Sequence, residues 1–148
     1  MVYALWLAVF SLLAALAHGQ MISIGAPAEY AAISAGSNIT VQVVRPSTLT
    51  GSQEIALVIA LNSCTEHPDN TCSSFDVTQD LGHVMYSGPF APEYQSSEPD
   101  SQPAQNFTVL VPEGMPQGEA ALTVSHFSLI GAGPYPSLEV KNITLIIQ

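Results

Sequence analysis

The stretch Asn38-Ile39-Thr40-Val41-Gln42-Val43-Val44 alternates, with Ile39, Val41 and Val43 on one face and Thr40 and Gln42 on the other. Successive side chains of an extended chain point to opposite sides, so a period of two marks a half-buried strand. The same period recurs outward from this stretch. Residues 21–24 start a first strand that Ala26-Pro27 ends, and residues 107–111 and 121–127 alternate again. Residues 138–147 alternate through Val140, Ile143 and Leu145 with one slip, which reads as a bulge. Residues 55–61 are a continuous apolar run rich in branched side chains, the pattern of a central strand covered on both faces. Residues 84–86 make a shorter candidate. Turn clusters such as Ala35-Gly36-Ser37 and Gly131-Ala132-Gly133-Pro134 separate these runs. The segment from Pro112 to Gly118 reads as a corner joining two sheets. No run has a helical period, and 11 prolines discourage one. The expected fold is therefore all-β, an immunoglobulin-like antiparallel sandwich of six to seven strands.

Length agrees with one domain, since 148 residues suffice for a single core and not for two. Apart from Ser11, residues 1–17 are all apolar, and the run ends in small residues, as a signal peptide does. It is short for a membrane span. The expected organisation is a signal peptide over 1–19 and one sandwich over 20–148, with a soluble, secreted product and no membrane insertion. Cleavage after Gly19 is favoured; cleavage after Ala17 would instead make His18 the first residue. The chain has 12 acidic residues against two basic ones, Arg45 and Lys141, and a net charge of −10. Nucleic-acid binding needs clustered cations to release phosphate counterions, and anionic lipid needs a similar patch. Both are excluded as partners.

Cys64 and Cys72 are the only cysteines, and on the secretory route a disulfide is the expected state. Closing so short a loop contributes about 2.5 kcal/mol by chain entropy. Asn38, Asn106 and Asn142 each open an N-x-[ST] sequon, which calls for an outward-facing asparagine. Two stretches exceed what a scaffold needs. Residues 62–80 hold both cysteines and a short extended piece at Phe75-Asp76-Val77, and residues 87–104 run from Gly88-Pro89-Phe90 into a polar, acidic tract.

Catalytic patterns are scarce. There is no G-x-S-x-G elbow, no H-E-x-x-H and no glycine-rich phosphate loop. Ser125 and His126 are neighbours on one strand and face opposite ways, so they form no dyad. His126 reads as a hydrogen-bonded strand residue. No catalytic residue, metal or cofactor is expected. One enzymatic alternative rests on His18: as an amino terminus it would chelate copper with a second histidine, His83 or His126, in a histidine brace.

The blocks Arg45-Pro46-Ser47-Thr48-Leu49-Thr50-Gly51-Ser52-Gln53-Glu54, Met85-Tyr86 before Gly88-Pro89-Phe90, and His126-Phe127-Ser128-Leu129-Ile130-Gly131-Ala132-Gly133-Pro134-Tyr135-Pro136 resemble the fungal necrosis-inducing secreted proteins of the Nis1 family. The resemblance covers nearly all of the chain beyond the leader, in order. It implies a secreted effector that provokes plant cell death, acts inside host cells, binds kinases associated with pattern-recognition receptors and blunts immune signalling without enzymatic activity. It carries no residue-level binding motif. From the residues themselves, Tyr86, Phe90, Tyr94 and Tyr135 lie beside rigid glycine-proline turns and are the candidate partner contacts. The competing role for all four is to cap the open end of the core. A different function class is a wall-associated or carbohydrate-binding module, for which only tyrosines remain as stacking platforms because Trp6 lies in the leader.

Overall fold

In the computed structural model, which describes residues 21–98 and 100–148, two sheets face each other. The strands are β1 (Ser23–Ala26), β2 (Ala32–Ile33), β3 (Asn38–Val44), β4 (Ser52–Ser63), β5 (His83–Gly88), β6 (Glu93–Tyr94), β7 (Pro103–Leu110), β8 (Gly118–Ile130) and β9 (Tyr135–Ile147). One sheet has the order β1-β3-β7-β6 and the other β2-β9-β8-β4-β5. All pairings are antiparallel except β2 with the end of β9. Leaving out the two-residue strands β2 and β6, seven strands remain. The partition, with the first, second and later strands opposite the hairpin of the last two, is the immunoglobulin strand order. Residues 111–117 carry the chain from one sheet to the other, as the Pro112–Gly118 reading required.

The alternation translates directly into the core. Val41 and Val43 of β3, Phe107 and Val109 of β7, Leu57, Ile59 and Leu61 of β4, and Leu122 and Val124 of β8 are all buried between the sheets. Each such side chain contributes about 1.5–3 kcal/mol by leaving water. A smaller cluster lies on the outer side of the five-stranded sheet. There Cys64, Cys72 and Val77 pack on Ala121, with Phe75 and Val140 beside them. The Cys64–Cys72 disulfide is formed, with the Cα atoms 5.2 Å apart, and its loop holds two short 3-10 turns, Pro68–Asn70 and Cys72–Ser74.

Three local expectations need correction. Residues 55–61 are not covered on both faces: Ile55 is 39% exposed, while Ala56 and Val58 are half-buried. β4 has only β5 beyond it, and the disulfide loop covers the sheet's outer face at the other end. The slip in 138–147 is not a bulge, because β9 pairs with β8 without a break from Tyr135 to Ile147. It arises because Val140 faces outward into the disulfide cluster whereas Ile143 and Leu145 face the core between the sheets. Bulges fall instead between Glu54 and Ala56 and between Ile59 and Ala60. Phe75-Asp76-Val77 forms no strand; its apolar ends pack into the disulfide cluster. The leader, its cleavage bond and His18 lie outside the described residues.

Candidate functional site

Arg45 closes β3, and Ser52 and Glu54 open β4 across a loop in which Leu49 is fully exposed. By strict alternation from Leu57, Ile55 would face inward and Glu54 outward. The bulge at Ile55 reverses this: Glu54 pairs with Ser128 and shares its inner face, and Ile55 is turned out. His126 continues the inward parity of Leu122 and Val124, and Glu139 lies directly opposite it on β9.

The result is a polar network inside one end of the sandwich. His126, 3% exposed, places Nε2 2.5 Å from Glu54 Oε2. Its other nitrogen, Nδ1, is 3.8 Å from Glu139 Oε1 and has no hydrogen-bond partner. Glu139 Oε2 accepts the Ile22 N–H at 2.7 Å, which ties the chain just before β1 to β9. Glu54 Oε1 accepts the Ser52 hydroxyl at 2.7 Å and lies 3.5 Å from the Arg45 guanidinium, which in turn donates to Ser52 Oγ at 3.0 Å. Burial pushes the Glu54 carboxyl up. The hydrogen bonds from His126 and Ser52 and the charges of His126 and Arg45 outweigh it and hold the group below its ordinary range. The ring of Phe90 stands edge-on to His126 at 5.2 Å. A void of about 10 Å³, bordered by Arg45, Glu54 and His126, adjoins the network and is room for about one water.

Above this base the loops of the same end carry the surface features. An open groove of 490 Å³ runs between Thr50-Gly51-Ser52-Gln53 and Leu129, Gly131, Ala132 and Pro134, closed at its floor by the Gly131 N–H to Gly51 carbonyl bond of 2.9 Å. A second groove of 420 Å³ is lined by Ser47, Tyr94, Glu98, Asp100, Ser101 and Gln102. The Tyr94 hydroxyl is held 2.9 Å from Ser47 Oγ, leaving the ring 62% exposed, and Tyr135 at the start of β9 is 69% exposed.

The four aromatic contact candidates therefore divide. Tyr94 and Tyr135 are at the surface of the loop end. Phe90 is 4% exposed and belongs to the core, so it is no contact residue; it stacks with Phe107 because the turn after β5 folds back between the sheets. Tyr86 is half-buried against Phe107 at 4.6 Å and donates its hydroxyl to the Pro89 carbonyl. Asn38 and Asn106 project from the outer face of the four-stranded sheet and Asn142 from β9, all exposed. Among the described residues no three His, Cys, Asp or Glu side chains are grouped to hold a metal. Reading the sequence missed the network. Its one signal was parity, since His126 and Glu139 occupy inward positions of otherwise apolar alternations; the Glu54 position was hidden by the bulge.

The chain is an immunoglobulin-type sandwich with two grooves and two exposed tyrosines at its loop end. Residues 17–146 match the Nis1 family, and the chain belongs to that family. No curated protein matches the sequence. Among solved structures, a superoxide reductase (neelaredoxin) from Ignicoccus hospitalis is similar in fold, with a TM-score of 0.50 at 13% identity over 90% of this chain and 85% of that one. At that identity the likeness concerns the fold alone.

Proposed function

We propose that this protein acts by binding a protein partner through its loop end, without catalysis, and that the partner is a kinase associated with plant pattern-recognition receptors. On this reading it is a secreted effector that enters host cells, dampens immune signalling and provokes cell death. Family membership supports the partner class. The observation that carries the binding mode is the pair Tyr94 and Tyr135, 62% and 69% exposed beside two open grooves. Tyr94 is tethered to Ser47, in the loop that joins Arg45 to Glu54, and Tyr135 is held opposite Ile130 at the start of β9. Aromatic anchors on a rigid base lose little entropy on binding, which is what an interface hot spot needs. These loops occupy the end of the sandwich that variable immunoglobulin domains use for antigen, a likeness of position only. The void that reaches His126 and Glu54 is only about 10 Å³, too small for a substrate, which favours binding over catalysis. A net charge of −10 favours a basic partner and rapid encounter at low salt.

The test is direct binding of the purified mature protein to the kinase domain of a plant immune co-receptor, beside an acidic control protein of similar size and across a salt titration. Saturable binding that survives moderate salt, and that weakens by roughly 30-fold or more in Tyr94→Ala/Tyr135→Ala at unchanged Tm, is expected. No binding above the control overturns the kinase reading. Retention on chitin, glucan or cellulose, lost in the same double variant, would give the loop end to the carbohydrate-binding alternative.

A further inference from the structure

We infer that β5 is a docking edge, built to accept an extended, basic segment of a partner protein as an added strand. A sheet edge exposes unpaired N–H and C=O groups, and proteins defend such edges with brevity, charge, proline or bulges. The other edges of this sandwich are defended. β1 has four residues with an irregular register, and β2 and β6 have two residues each. The part of β9 beyond β2 presents Pro136, Lys141 and the sequon at Asn142, and the part of β7 beyond β6 carries the sequon at Asn106. β5, His83-Val84-Met85-Tyr86-Ser87-Gly88, contains no proline, lysine, arginine or acid. Its main chain pairs with β4 on one side, and among the described residues no other backbone or side chain hydrogen-bonds to it. The bulge at Met85 bends it without charging it, and Val84 remains 49% exposed.

Charge decides the occupant. Asp80 precedes the edge, with its carboxylate at the Gly82 N–H, and 12 acidic residues face two basic ones in the chain. No cation offsets them: Arg45 is committed to Glu54, and Lys141 lies on β9, at the other side of the five-stranded sheet. A second copy would bring two chains of −10 together, so self-pairing is disfavoured. The fitting occupant is a segment of about five or six residues with alternating β-branched side chains and Lys or Arg at its ends. This inference stands independently of the kinase reading and of the loop end.

The experiment selects random decapeptides displayed on phage against the folded protein and follows one soluble winner. Selected peptides should be β-branched and basic, and the winner should slow hydrogen exchange at amides within 83–88. N-methylation at every second residue of one parity should abolish its binding and at the other parity leave it intact, since a paired strand turns alternate amides toward its neighbour. Val84→Lys/Ser87→Lys, both on the outward face of β5, should weaken the peptide by at least about tenfold with Tm unchanged. Protection mapped elsewhere, indifference to the double substitution or to methylation parity, no peptide above a control scaffold, or a dimer in sedimentation that the double variant dissolves would each overturn the inference. Kinase binding lost in Tyr94→Ala/Tyr135→Ala yet kept in Val84→Lys/Ser87→Lys separates the two sites, and absence of kinase binding leaves the peptide result unaffected.

Discussion

Replacing Glu54 by Ala tests the buried network most directly. The substitution strips the Nε2 partner from His126, which is 3% exposed and already has Nδ1 without a hydrogen bond. It also removes the acceptor of Ser52 and the counter-charge of Arg45. The Arg45 term is small, because its side chain is 27% exposed and solvent screens the pair. The His126 term dominates, since stranding a buried polar group without its hydrogen-bond partner costs up to about 3 kcal/mol. For a domain of this size that lowers Tm by roughly 10 °C. His126→Ala should cost a similar amount. The double variant should cost less than the sum by about 2 kcal/mol, because the second truncation removes a group the first had stranded. Urea unfolding of the four proteins of the cycle, with m-values compared, measures this. Additivity within about 0.5 kcal/mol, or a Glu54→Ala cost below about 1 kcal/mol, would refute the reasoning.

The same carboxylate shapes the acid limb of stability. Its folded pKa lies below the ordinary 4.5, so its contribution is full above that value and disappears as pH falls through the depressed one; Glu54→Gln should flatten that limb in a series of melts from pH 6 to pH 2.5. Phe90→Ala should cost about 3–4 kcal/mol by emptying a core site, whereas Tyr135→Ala should move stability by less than about 0.5 kcal/mol, as thermal melts will show. Cys64→Ser/Cys72→Ser should cost about 2.5 kcal/mol in denaturant titrations, since the bridge closes a separation of eight residues and its cluster on Ala121 loosens with it. Gly82→Ala should destabilise by more than about 1 kcal/mol: φ is +70° there, and an added Cβ would stand 2.6 Å from the Asn62 side chain.

Period two is a local property, and so the strands were legible residue by residue. Asn38–Val44 has the bounds its alternation announced, and β7, β8 and β9 were each found to within a few residues. The disulfide followed from two cysteines close in sequence, and the sandwich from seven strands separated by turns in a chain of this length. Composition alone set the net charge of −10. Tertiary structure decided what depends on register between distant strands. A single extra residue at Ile55 turned Glu54 inward to meet His126, 72 positions away, and no local pattern reports a bulge set by the partner strand. The same holds for the aromatics, alike in sequence as rings beside turns. Packing against Phe107 took Phe90 into the core and half-buried Tyr86, and left Tyr94 and Tyr135 in water, because burial depends on what the opposite sheet places over a side chain.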